Sequence, residues 1–179
     1  MALKSTVYRM NLHISDMNRS HFGEYPVTLA RHPSETAERL MMRIVAFCLY
    51  ADDALRFGQG LSSAEEPDLV LADLTGALKL WIEVGLPEAR WIGKALSKSE
   101  QVVVLAYGGN ANRWLKSMEN EMPDARASGR LTLARIEADQ PALLEKMAMR
   151  NATLSCTIQD DLLWLTGDKD TVALSVVRG

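Results

Sequence analysis

Glu66-Pro67-Asp68-Leu69-Val70-Leu71-Ala72-Asp73-Leu74-Thr75-Gly76-Ala77-Leu78-Lys79-Leu80-Trp81-Ile82-Glu83-Val84-Gly85 is the stretch on which the fold turns. If Leu74-Thr75-Gly76-Ala77 makes a turn, antiparallel register pairs residue 73 with 78, 71 with 80 and 68 with 83. Asp68 and Glu83 then face each other on one side of the hairpin, followed by Val70 with Trp81 and Ala72 with Lys79. Leu69 with Ile82 and Leu71 with Leu80 line the other side, as a core strand pair requires. Burial and chemistry agree on one register. Two opposed carboxylates are a hard oxygen donor set for Mg²⁺ or Mn²⁺, leaving positions for water and a phosphodiester. Spacing alone also fits ordinary surface carboxylates at strand ends. What favours a site is the position of Glu83 inside the apolar run Leu80 to Leu86, where an unpaired charge is costly.

Outward from this hairpin, Thr6, Tyr8, Met10, Leu12 and Ile14 alternate with Val7, Arg9, Asn11 and His13, predicting a strand from Leu3 to Ser15. A polar loop, Asp16 to Gly23, leads to a second strand, Tyr25 to Ala30. Pro33 and Ser34 then signal a helix from Glu35 to about Phe57, with Leu40, Met41, Ile44, Val45, Cys48, Leu49 and Leu55 recurring at three and four. It is expected to pack across a sheet. Gln59 to Glu66 reads as loop. Beyond the hairpin, Leu86-Pro87-Glu88 starts a helix to about Lys98. Val102 to Tyr107 is a valine-rich strand buried on both faces, Gly108-Gly109-Asn110 a plain turn, and Ala111 to Asn120 a short helix. Leu131 to Ile136 is another central strand, and Pro141 opens a helix through Met149. Three terminal strands follow: Ala152 to Ile158, Leu162 to Thr166 and Thr171 to Val177. Such mixing predicts an α/β domain, a mixed β-sheet flanked by helices with the terminal strands joined to it.

At 179 residues, 47% hydrophobic and 24% charged, the chain suits one globular domain spanning residues 1–179. No stretch approaches the roughly 18 apolar residues of a spanning helix, so the expectation is a cytoplasmic protein with no membrane partner. A net charge of −3 argues against a non-specific nucleic-acid coat and requires any polyanion to meet a focused patch. Cys48 and Cys156 lie in apolar runs and read as buried thiols.

Four segments together resemble the YaeQ family, of the PD-(D/E)XK restriction-endonuclease-like superfamily. They are Leu29-Ala30-Arg31-His32-Pro33-Ser34-Glu35-Thr36, Glu66-Pro67-Asp68, Leu80-Trp81-Ile82-Glu83-Val84-Gly85-Leu86-Pro87 and Thr157-Ile158-Gln159-Asp160. The likeness spans nearly the whole chain. It implies a nuclease-like core over approximately residues 33–136 with extra N- and C-terminal strands, Pro67-Asp68 as the PD element and Glu83 as the second acid. The superfamily places lysine two residues after that acid, where this chain has Gly85.

Lys79, Lys94 and Arg90 are candidates for the missing lysine. Lys79 shares the face of Glu83 but lies about 13 Å down the strand, at roughly 3.3 Å per residue. Arg90, Lys94 and Lys98 form an i, i+4, i+8 stripe on the following helix, which places Lys94 toward the carboxylates and Arg90 and Lys98 toward nucleic-acid phosphate. A solvated helix face explains the stripe equally well. Glu35 and Glu38 read as complements to a helix N-terminus, with Arg39 in reach of Glu35. His13, His21 and His32 lack metal-ligand spacing, and the four tryptophans read as core rather than base-stacking platforms. The functional expectation is a Mg²⁺-dependent nuclease-like protein with Asp68 and Glu83 as metal ligands and Lys94 as the basic catalytic group. The competing expectation is a catalytically degenerate relative acting as a protein-interaction or regulatory module.

Overall fold

The computed structural model describes residues 4–59 and 65–179. The predicted start at Leu3 and most of the Gln59–Glu66 loop lie outside them. In chain order the described elements are β1 (Thr6–Asp16), β2 (His21–Arg31), α1 (Ala37–Leu49), β3 (Leu55–Phe57), β4 (Leu69–Ala72), β5 (Leu78–Val84), α2 (Ala89–Lys98) and β6 (Ser99–Ala106). There follow α3 (Ala111–Glu121), α4 (Pro123–Ala127), β7 (Leu131–Ala138), α5 (Pro141–Lys146), β8 (Asn151–Gln159), β9 (Leu162–Thr166) and β10 (Thr171–Arg178).

All these strands join one mixed sheet in the order β2-β1-β8-β9-β10-β7-β6-β5-β4-β3. β5, β6 and β7 run parallel, as do β1 and β8, and the other neighbours are antiparallel. The sheet curls into a barrel-like, nearly closed form, so that its two edge strands, β2 and β3, line the same groove.

α1 fills the interior. Its residues from Leu40 to Leu49 are all buried, Arg43 included. A helix buried on every side has no solvent face to display, and here the inward residues of a single curved sheet surround it. Tyr8, Met10, Leu12 and Ile14 of β1, Leu163 and Leu165 of β9 and Val103 and Leu105 of β6 all join this core. The alternate residues of β5–β7, Trp81, Val102, Val104, Leu131 and Leu133, form a second core under α2 and α3. That is why the Val102–Leu105 run is apolar on both faces.

The long predicted helix is corrected at its end. α1 stops at Leu49, and Asp52 Oδ1 accepts from the Ala54 amide at 2.7 Å, turning the chain into β3. Leu55 continued the helical spacing only because inward strand residues are apolar too. The helix also begins later than Pro33-Ser34 implied. His32 and Ser34 form a turn closed by Nδ1···Oγ at 2.6 Å, and Thr36 caps the helix by accepting from the Arg39 amide at 3.1 Å.

The decisive hairpin forms in the predicted register, with Leu69 opposite Ile82, Val70 opposite Trp81 and Leu71 opposite Leu80. Ala72 then pairs with Leu78 rather than Lys79. The cause is local: Asp73 Oδ1 collects the Thr75 amide, the Thr75 hydroxyl and the Ala77 amide, and Gly76 takes φ +87°. This side-chain-capped turn absorbs the extra residue as a bulge.

Gly58, just beyond β3, donates to the Asp68 carbonyl at 2.8 Å. A Cβ there would stand 1.9 Å from the Pro67 carbonyl oxygen. Gly58→Ala is therefore expected to push the Pro67-Asp68 backbone outward and cost about 1–3 kcal/mol, read by chemical denaturation.

Candidate functional site

The hairpin register carries Asp68 and Glu83 to the same end of the sheet, where β5 and β6 reach their carboxyl ends. In α/β folds, barrels as well as open sheets, ligands bind at that end of parallel strands. Asp68 is 2% exposed. Its Oδ2 accepts from the Val84 amide at 2.7 Å and its Oδ1 from Arg39 Nη2, also at 2.7 Å. Glu83 Oε1 accepts from Trp81 Nε1 at 2.7 Å, and the Glu83 carboxyl lies within electrostatic reach of the Asp68 carboxylate. Burial, and then the Asp68 charge, push Glu83 up to about 8. At neutral pH this pair therefore holds a proton.

The basic group on this pair is Arg39, not Lys94. Arg39 projects from the first turns of α1, its Nη1 on Glu35 Oε1 at 3.0 Å and its Nη2 on Asp68. Lys94 is exposed, pairs with Glu65 at 3.3 Å and lies 4.4 Å from the centre of the Trp91 ring. Arg90 also covers Trp91, at 4.9 Å, and pairs with Glu88 at 2.9 Å. Lys98 rests over Trp81 at 5.7 Å. The α2 stripe thus forms a basic, aromatic-backed surface whose Trp81 also supports Glu83 from behind. Lys79 bridges Glu100 and Asp73 at the far end of the hairpin.

Sequence reasoning missed Arg39 and Tyr107 as members of this site. Tyr107 follows β6, and its phenol is pushed up to about 12, chiefly by burial, beside Arg39, Glu38, Thr36 and Asp68. The available signal was Arg39 and Arg43 one turn apart on a helix whose residues from Leu40 onward are otherwise apolar. A buried arginine needs a buried acid. Glu35, the expected N-terminal complement, is that acid: it is 2% exposed and bonds both guanidiniums. Glu38 is raised by burial and then by Glu145.

The donor set meets the minimum for Mg²⁺, which keeps several waters and takes one or two carboxylates. Each Asp68 oxygen is already engaged once but retains a lone pair, and Glu83 has one oxygen away from Trp81. Among the described residues no group of three or more His, Cys, Asp or Glu side chains is gathered to hold a metal. Nor is any described helix long and apolar enough to cross a membrane.

The model of the YaeQ protein family matches residues 1–176. The YaeQ proteins of Escherichia coli (strain K12) and Shigella flexneri are each 36% identical over 178 residues, covering 98% of this chain and 96% of theirs. Among solved structures, the YaeQ protein from Xanthomonas axonopodis pv. citri superposes with TM-score 0.91 at 39% identity, covering 98% of both chains. That from Pseudomonas syringae superposes with TM-score 0.83 at 29% identity, over 97% of this chain and 95% of that one. The chain belongs to the YaeQ family.

Proposed function

We propose that this protein is a Mg²⁺- or Mn²⁺-dependent nuclease-like protein of the PD-(D/E)XK type, acting on or binding nucleic-acid phosphodiesters at Asp68 and Glu83. The observation that carries this reading is the placement of the buried Asp68 and the half-buried Glu83 carboxyl groups together at the carboxyl end of β5, close enough for the Asp68 charge to act on Glu83. A divalent ion held by Asp68 and Glu83 would supply Lewis-acid activation of water and of the phosphoryl oxygen. Of the chain's own groups, Trp81 fixes the Glu83 rotamer and the Val84 amide aims Asp68. Arg39, bonded to Asp68, would serve in place of the superfamily pattern's lysine, which this chain lacks at Gly85, and would offer a guanidinium to the phosphate. Arg90, Lys94 and Lys98 form a basic face for the flanking backbone, a peripheral role for Lys94 in place of a catalytic one.

The Arg39–Asp68 pair also favours a second reading, a degenerate nuclease-like fold that serves as a protein-interaction or regulatory module. A fixed guanidinium already neutralises one of the two ligands. Titration calorimetry with Mn²⁺, together with incubation of mixed DNA and RNA, separates the two. Saturable Mn²⁺ binding with metal-dependent cleavage supports the nuclease reading, and absence of both supports the module. Lys94→Ala is expected to leave Mn²⁺ affinity unchanged and to weaken polynucleotide binding only about two- to fivefold at low salt. A loss of Mn²⁺ binding in that variant would return Lys94 to the centre.

A further inference from the structure

The two edge strands of the sheet face one another across a groove of about 470 Å³. Its walls are β2 between Glu24 and Thr28 and the whole of β3, and Phe47 of α1 forms its floor. From Tyr25 on β2 to Phe57 on β3 there are two successive ring-to-ring steps of 5.4 Å by way of Phe47. The three rings give the groove an aromatic base against which alternate side chains of an extended segment can pack.

Hydrogen bonding identifies the backbone atoms that face the gap. The Ala30 carbonyl accepts from Arg43 Nη1 at 3.0 Å, so it points away from β1. The β1–β2 register runs without a shift from Thr6–Arg31 to Asp16–His21. Outward groups alternate along an antiparallel strand, so those of Thr28, Pro26 and Glu24 point the same way as those of Ala30. Pro26 agrees, since a residue without N–H belongs where no ladder bond is donated. Arg43 spans one end of the gap, with Nη2 on the Gly58 carbonyl at 3.2 Å.

The rim is acidic. Glu24, Asp52 and Asp53 line it, and Tyr25 is raised first by burial and then by the Asp53 and Asp52 charges. Arg56, the basic residue of the lining, spends one guanidinium nitrogen on the Asp53 and Leu55 carbonyls.

We infer that this seam docks an extended basic segment of a partner protein, which adds as a strand between β2 and β3 and completes the barrel. Main-chain bonds to Thr28 and Glu24 would hold it, as in other strand-addition complexes. Alternate side chains would meet Phe47 and the acidic rim, so the recognised chemistry is apolar residues alternating with lysine or arginine.

The test uses a labelled short peptide alternating lysine and valine, its glutamate–valine counterpart, fluorescence anisotropy and amide hydrogen exchange on the full chain. Expected are saturable binding of the basic peptide alone, slowed exchange at the Thr28 and Glu24 amides, and at least roughly tenfold weaker binding to the surface variant Glu24→Lys/Asp53→Lys. The variant should in turn accept the acidic peptide. Equal binding of both peptides, indifference to the charge reversal, or no binding of the basic peptide at about 1 mM would overturn the inference. So would a second copy of the chain occupying the seam, seen as peptide-displaceable dimerisation.

Discussion

Arg43→Met is expected to cost about 3–5 kcal/mol of folding stability, the usual penalty for removing one partner of a buried ion pair. Arg43 is 0% exposed, and its guanidinium reaches Glu35 at 3.3 Å and the Ala30 and Gly58 carbonyls. Methionine fills the volume but leaves two backbone acceptors unpaired and Glu35 with Arg39 alone. The loss should propagate to the candidate centre, because Glu35 also aligns Arg39 on Asp68. Denaturant midpoints read the stability. The double variant Glu35→Gln/Arg43→Met should recover part of the loss, since it removes the stranded charge. A cost below about 1 kcal/mol in the single variant would mean that the seam is not held by this guanidinium.

Glu83→Gln has the opposite signature, a large functional loss without a folding cost. Glutamine keeps the acceptor for Trp81 Nε1 and removes the titrating group beside Asp68. Mn²⁺ binding should weaken at least tenfold, and any metal-dependent cleavage should fall on the order of 100-fold. Cleavage unchanged in this variant would place the activity elsewhere or in a contaminant. The linkage of pH to stability follows from the same group. In the folded chain Glu83 holds its proton up to about 8, against an ordinary value of 4.5. Folding therefore binds a proton across that interval. The contribution of Glu83 is fully present below about 4.5 and is lost as pH rises towards 8. In chelator the wild type should lose no more than a few kcal/mol over this range, and Glu83→Gln should flatten that slope. Metal affinity in the wild type should move the other way and increase through pH 8, because the ligand form is the carboxylate.

Much of this site is legible in order along the chain. The alternation in 69–72 and 78–82 specifies which residues face inward, and a register that pairs Leu69 with Ile82 brings Asp68 and Glu83 to the same end of the hairpin, where the Asp68 amide donates to the Ile82 carbonyl. The bulge at Ala72 was not legible by the same argument. It depends on three hydrogen bonds that Asp73 makes to its own turn, a local competition that hydrophobic periodicity does not record. The helix of residues 35–57 failed for a related reason. Leu55 is apolar because it faces the barrel interior, and apolarity at a spacing of three or four does not distinguish that from a helix face.

Local pattern settled the inward faces of every strand except the short β3, which it read as helix, and it brought Asp68 and Glu83 to one end of the hairpin, because each of these depends on neighbours a few residues apart. Which basic group reaches those acids was decided by tertiary structure. The spacing of Arg90, Lys94 and Lys98 is a property of one helix and says nothing of where that helix lies. Arg39, 29 positions before Asp68, is brought to it only because the sheet curls around α1 and buries the start of that helix against the hairpin. Burial then makes pairing obligatory: a guanidinium and a carboxylate withdrawn from water must find one another, and that requirement exists only in the folded chain.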